Sequence, residues 1–243
     1  MGRSHQRHSS SQLRGALPPT SRPPAGRDLP PASGRTAARF ARLGRRDLPP
    51  ASGRTGTRYH ALVPRNALIE HLVTHALRTD GPFTLRSGEE ADWYLDARQT
   101  TFSGEGALLV GEAMLEVLDP EVEALGGMTM GADPVAMATA MAAASRGINL
   151  VAYSIRKEAK DHGVGGRLVG PVEPGMQVAM IDDTTTTGSA AGEATDVALE
   201  AGLNVVQAIA LVDRSDGLAA ERFQGRGIPF VSVVTPADLG VGL

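Results

Sequence analysis

One stretch constrains this chain more than any other. The apolar residues Val178, Ala179, Met180 and Ile181 run straight into Asp182 and Asp183, and then into Thr184, Thr185, Thr186, Thr187, Gly188, Ser189 and Ala190. The apolar part reads as a buried strand ending at a rim that solvent can reach, with a helix starting at about residue 188. A capped helix would need a single Ser, Thr or Asp. Two adjacent acids and a run of hydroxyls exceed that need. A helix start offers free backbone N–H groups and the positive end of its dipole. With the hydroxyls it forms a cradle for one phosphate monoester. The two carboxylates would repel that phosphate, but they accept hydrogen bonds well from vicinal hydroxyls. A phosphate beside a diol describes a ribose 5-phosphate.

The surrounding pattern supports an α/β sheet. Leu68, Ile69, Leu72, Val73, Ala76 and Leu77 recur at helical spacing behind Pro64, and Gly81 ends that helix. Residues 83–85 and 93–96 read as short strands around the turn Ser87-Gly88, and Ser103 caps a helix reaching about Leu118. Strands are expected at 128–130, 148–155, 176–181, 204–212 and 229–234, and helices at 133–145, 188–201 and 217–223. Residues 156–170 read as a charged, Gly-rich loop. Strands alternating with helices imply right-handed crossovers and a mainly parallel sheet flanked by helices. Ligands of such sheets sit beyond the C-terminal strand ends, here after Ile155, Ile181 and Val212.

Charge divides the chain in two. Residues 1–60 hold 12 arginines, two acids (Asp28 and Asp47) and half of the 16 prolines, a net charge of +10, whereas residues 61–243 carry -13. Few aliphatic residues occur before residue 61 and they show no period. Such a segment buries too little apolar surface to offset its chain entropy, and a disordered basic Pro/Arg-rich extension is expected there. The stretch from Arg27 to Thr36 returns from Arg46 to Thr55, but two copies without an apolar face do not make a solenoid. Three readings of the extension compete: a dispensable leader from a start placed too far upstream, a basic arm for nucleic acid or an acidic surface, and a targeting peptide.

Several chemistries are excluded. With no Cys, the chain has no disulfide framework, thiol nucleophile or Cys-ligated metal. No run of eighteen apolar residues spans a bilayer. The P-loop, the G-x-G-x-x-G fingerprint and the G-x-S-x-G elbow are all missing. His71 and His75 lie four apart without a His-Glu-x-x-His frame, and a solvated helix face is expected for them.

Lysine usage is more telling. Among the 24 cationic residues only Lys157 and Lys160 are lysines, and both fall in the run Arg156-Lys157-Glu158-Ala159-Lys160-Asp161-His162-Gly163. A chain that uses Arg nearly everywhere keeps compact, mobile ammonium groups here. Arg156, Lys157, Lys160 and His162 suit a pyrophosphate, and glycines 163, 165, 166 and 170 let the segment move as a lid.

Together these residues resemble the type I phosphoribosyltransferases. Residues 182–190 are similar to their phosphoribosyl pyrophosphate (PRPP) motif, and residues 156–163 to the mobile catalytic loop of the orotate phosphoribosyltransferases. Residues 83–88 and 91–96 resemble that family's N-terminal strand pair, residues 126–134 its pyrophosphate loop, and Asp213-Arg214 the strand end that reads orotate. The likeness covers roughly residues 66–240. The chain departs from the family in carrying Arg86 where Lys is usual, and Asp133-Pro134 where many members have an aromatic and a lysine.

The resemblance implies a type I phosphoribosyltransferase fold with a small N-terminal hood, and transfer of phosphoribose from PRPP to orotate in pyrimidine (UMP) biosynthesis. It implies Asp182 and Asp183 on the ribose hydroxyls, Thr184–Ala190 on the 5'-phosphate, Arg156, Lys157, Lys160 and His162 on pyrophosphate, and Arg86 among the PRPP-binding residues, with Lys160, Asp182 and Asp183 catalytic. Tyr94, Leu95, Thr186 and Arg214 would hold orotate. Mg²⁺ would arrive mainly on PRPP rather than in a protein cage. A cytoplasmic homodimer sharing the mobile loop across subunits is implied, with no membrane or nucleic-acid partner. No second catalytic domain is expected to decarboxylate the product. A transferase acting on a purine or uracil, and a PRPP-sensing regulator without turnover, are the rival readings.

Overall fold

The computed structural model describes residues 65–84, 90–160 and 166–242. The readings made for residues 1–60, the turn at Ser87-Gly88, Arg86 and His162 lie outside the described residues. In chain order the elements are α1 (Arg65–His75), β1 (Leu77–Arg78), β2 (Phe83–Thr84), β3 (Glu90–Ala91), β4 (Tyr94–Leu95), α2 (Arg98–Thr101), α3 (Gly104–Val117), β5 (Ala124–Met128) and α4 (Ala132–Ser145). There follow β6 (Val151–Lys160), β7 (Gly166–Val169), β8 (Gln177–Thr185), α5 (Ser189–Glu200), β9 (Asn204–Asp213), α6 (Leu218–Gln224) and β10 (Phe230–Val234).

Six strands form one sheet in the order β10-β9-β8-β5-β6-β7, parallel except for the edge strand β7. Strand β8 shows why both faces must be covered. Its side chains alternate in direction, so Ala179 and Ile181 enter one core with Leu68, Leu72, Val110, Met114 and Val135 of α1, α3 and α4. Val178 and Met180 enter the other, with Ala191, Ala194 and Ala198 of α5 and Phe223 of α6. The helix after β5 therefore packs on one face and the helix after β8 on the opposite face. Between these neighbouring strands the connections diverge, and a crevice opens at their C-terminal ends.

Glycines let the backbones close in below that crevice. A Cβ on Gly127 would stand 2.0 Å from the Ile181 carbonyl oxygen and 2.9 Å from the Ala132 Cβ. Gly127→Ala must push β5 off β8, and is expected to destabilise the fold by about 3 kcal/mol, read as a lowered midpoint in urea denaturation.

The structure alters several expectations. Leu77 leaves the first helix and pairs with Leu95, so β1 and β4 form one antiparallel ribbon while β2 and β3 form another. The strand expected at 128–130 lies earlier, at Ala124–Met128, because its Gly-Gly pair serves close strand approach rather than a turn. The charged segment after Ile155 is not all loop. Strand β6 continues to Lys160, where the backbone pairs with Gly166 of β7. His75 is exposed as expected, but His71 is buried, with its Nδ1 3.1 Å from the Thr100 hydroxyl. The Ser103 cap is present, its hydroxyl accepting the Gly106 amide at 3.0 Å.

Candidate active site

The crevice between β5 and β8 widens into a cavity of about 390 Å³. Its floor is the end of β8, with Asp182, Asp183 and Thr184, and the start of α5 at Ala190. Its walls are the turn after β5, residues 129–131, and Lys157 from β6. Tyr94, Leu95, Asp96 and Arg98 close it from the side of the β1–β4 ribbon, the small hood.

Strand β8 runs four residues further than its apolar part. Thr184 and Thr185 pair with Val212 and Asp213 of β9, so the two acids stand on hydrogen-bonded backbone, not in a loose loop. Burial pushes the Asp182 carboxyl up to about 7, and the neighbouring Asp183 charge adds to it, while the Thr185 hydroxyl and the Asp183 amide pull it back. Asp183 is also raised, again first by burial, against opposing contacts from the Thr184 amide and the charge of Arg98. These are two carboxylates short of donors. Asp183 rests against a bare backbone, because a Cβ on Gly131 would fall 2.1 Å from its Oδ1. The Thr129 hydroxyl donates to Asp133 Oδ2 at 2.6 Å and its amide to the Ile155 carbonyl at 2.8 Å, which fixes that turn.

The hydroxyl turn is built on Thr185. Its side-chain oxygen accepts the Gly188 amide at 3.1 Å, and Gly188 adopts a positive φ of 67° that starts α5. Thr187 accepts weakly from the Ser189 amide at 3.4 Å, and Arg222 Nε holds the Thr187 carbonyl at 3.0 Å. Thr186, Thr187 and Ser189 are exposed at the helix start, where first-turn amides are free for a ligand. The Thr184 hydroxyl is buried and has no hydrogen-bond partner among the described residues.

The structure thus brings Tyr94, Leu95, Lys157, Asp182, Asp183, Thr184 and Ala190 into one cavity. It does not add Arg156, which alternates with Lys157 along β6 and whose carbonyl accepts from Arg167 Nε at 2.7 Å. Arg214 lies in an adjoining cavity of about 680 Å³, with its guanidinium carbon 3.9 Å from the centre of the Trp93 ring. The amide of Arg214 donates to the Thr185 carbonyl at 2.8 Å, and its buried Nε has no partner among the described residues. Trp93 is itself tied by its indole N–H to the Gly242 carbonyl at 2.8 Å. The side chain of Lys160 lies outside the description. Asp96 and Met130 fall in segments marked by the family resemblance but without a role of their own there, and Arg98 has no signal in a chain with 22 arginines.

A hydroxyl-rich helix start and two carboxylates on one turn, at the switch point of a mainly parallel sheet, match the type I phosphoribosyltransferase fold. No protein-family model matches the chain. It is 42% identical over 178 residues to the orotate phosphoribosyltransferase of Streptomyces avermitilis, covering 73% of this chain and 97% of that protein. The Mycobacterium tuberculosis orotate phosphoribosyltransferase, solved with Fe(III) dicitrate, superposes with a TM-score of 0.66 at 37% identity, covering 73% of this chain and 99% of that one. The same enzyme solved with PRPP gives a TM-score of 0.63 at 33% identity, with 73% and 99% covered. The chain belongs to the orotate phosphoribosyltransferase family.

Proposed function

We propose that this chain transfers the 5-phosphoribosyl group of PRPP to orotate, releasing orotidine 5'-monophosphate and pyrophosphate in UMP biosynthesis. The observation that carries the reading is the acid pair at the end of β8, set between a hydroxyl-rich helix start and Lys157. Thr184–Ala190 hold the 5'-phosphate. Ribose hydroxyls supply the donors that Asp182 and Asp183 lack, so binding draws both carboxyls to their charged form. Those charges then face the cationic sugar that develops as the bond at the anomeric carbon breaks. Positioning and electrostatics suffice for such a step. Lys157, Lys160 and His162 neutralise the departing pyrophosphate and Arg86 helps to bind PRPP, while Arg156, which β6 does not bring into the cavity, is left out of this role. Tyr94, Leu95 and Thr186 hold the pyrimidine, and Arg214 swings from Trp93 to pair with its carboxylate.

Mg²⁺ belongs to the same reading. The described residues hold no group of three or more His, Asp or Glu side chains able to cage a metal, while two under-compensated carboxylates lie in the cavity. That donor set fits a cation brought on PRPP, with Asp182 and Asp183 nearby, where Mg²⁺ supplies charge neutralisation to the leaving group.

A homodimer in the cytoplasm completes the proposal. Leu108, Met130, Met137 and Met141 are more than half exposed around the contact of α3 with α4, where Gly111 meets Ala138. Met137 and Met141 stand four apart on one face of α4. Met130 also lines the cavity, so a second copy on this face would adjoin the site. The double variant Met137→Glu, Met141→Glu is expected to sediment as a monomer and to lose most of its activity.

The test of the base is a panel of orotate, uracil, adenine and guanine with PRPP and Mg²⁺, followed by pyrophosphate release. Release with orotate alone supports the reading. Release with another base, or PRPP binding without release for any base, supports the rival readings.

A further inference from the structure

We propose that Arg98 is a ligand of the pyrophosphate group, a second cation that joins Lys157 in the wall of the cavity. This rests on the reading of that cavity as the PRPP site. Three carboxylates line the cavity, Asp96, Asp182 and Asp183, and a diphosphate would add several more negative charges. The turn after β5 cannot offset them. Thr129, Met130 and Gly131 are neutral, and the contact of Gly131 with Asp183 leaves no room there for any side chain. Among the described lining residues the cations are Lys157, carried by the sheet, and Arg98, carried by the segment that follows the β1–β4 ribbon.

The guanidinium of Arg98 is held in a way that suits this role. Its Nε donates to Asp96 Oδ1 at 2.7 Å, and its backbone amide donates to the same oxygen at 3.2 Å. Asp96 is oriented in turn by Gln99 Nε2, which donates to Oδ2 at 3.2 Å. One edge of the guanidinium is therefore fixed. The Nη1 and Nη2 groups have no hydrogen-bond partner among the described residues, and the side chain is 47% exposed. A planar fork anchored at one edge and open at the other matches two phosphate oxygens, which a lysine cannot engage in the same way. The charge of Arg98 is also felt at Asp183, so the arginine lies within electrostatic reach of the acid pair.

The test is direct calorimetric binding, in Mg²⁺ buffer, of inorganic pyrophosphate and, separately, of ribose 5-phosphate. Wild type is compared with Arg98→Ala, Arg98→Gln and Arg98→Lys. Loss of charge-assisted hydrogen bonds is expected to weaken pyrophosphate by about tenfold to a hundredfold in the Ala and Gln variants. Lys should recover part of that loss. Ribose 5-phosphate, which lacks the diphosphate, should bind all four proteins alike. Equal weakening of both ligands would mean that Arg98 merely supports the ribbon, and would overturn the proposal. Unchanged pyrophosphate affinity in Arg98→Gln would overturn it as well, while leaving the PRPP reading intact. Wild type that binds ribose 5-phosphate but not pyrophosphate would overturn both.

Discussion

Replacing Asp182 and Asp183 together by asparagine is expected to lower kcat/KM about a thousandfold while making the folded protein more stable at pH 8. The two effects share one cause. Burial raises both carboxyls, and the charge of Asp183 pushes Asp182 further, to about 7, while that of Asp96 adds to the rise of Asp183. A carboxyl raised in the folded state binds protons there that the unfolded chain has already released. Its contribution is most favourable below the unfolded value near 3.8, falls as pH rises towards about 7, and stays low above that. At pH 8 the wild-type protein therefore holds two buried charges at a cost, and asparagine removes it. Even half the full linkage would give about 2 kcal/mol, or about 4–8 °C in Tm for a domain of this size. Paired melting and kinetic curves check this. The same sign predicts that PRPP binding near pH 6 releases protons, since the diol favours the charged carboxylates; calorimetry in buffers of different ionisation enthalpy would detect it. A variant that loses both activity and stability would show that the pair holds the fold and not the substrate.

Lys160→Ala is expected to lower kcat by a similar factor, about a thousandfold, with a much smaller change in KM for PRPP. Beyond Ile155 the strand β6 has left its pairing with β5 and continues only beside β7. Residues 156–160 form a narrow arm carried out from the sheet, with Lys157 at its base in the cavity wall and Lys160 at its far end. On the proposed function, a cation at the base would meet pyrophosphate in the bound substrate. A cation on the arm would meet it as charge builds on the leaving group, so its removal would affect kcat. Lys157→Ala should instead act mainly on KM. Single-turnover kinetics on the two variants separate the roles, and equal effects on KM would contradict the assignment. Should the arm serve the neighbouring subunit, mixing Lys160→Ala with Asp183→Asn protein restores activity that neither has alone.

Some of this was legible in the sequence for clear reasons. The strands at β9 and β10 and the helices α5 and α6 fall within three residues of their expected limits, because apolar runs there are bounded by Gly, Asn and Pro. The acid pair declared itself because nothing in a simple helix cap calls for two adjacent acids. Other features were hidden. Asp182 to Thr185 look like loop residues, yet they continue β8 because β9 supplies pairing partners for Thr184 and Thr185. The charged residues 156–159 look solvated, and they are largely so, but an edge hairpin needs no burial to form. His71 reads as a surface residue until Thr100 is folded against it. Arg98 is invisible for the same reason, since only the β1–β4 ribbon brings it over the acid pair. Arg214 was found at its strand end, but its stacking on Trp93 in a separate cavity had no sequence signal.

On the proposed function, orotate and PRPP react in the cavity at the end of β8. Ultraviolet absorbance of orotate, followed with purified full-length protein, PRPP and Mg²⁺, tests it most directly. The orotate band is expected to be consumed in proportion to pyrophosphate released, and the Asp182→Asn, Asp183→Asn protein to show almost no change under the same conditions. Orotate left unconsumed by a protein that binds PRPP, or consumption undiminished in the double variant, would contradict it.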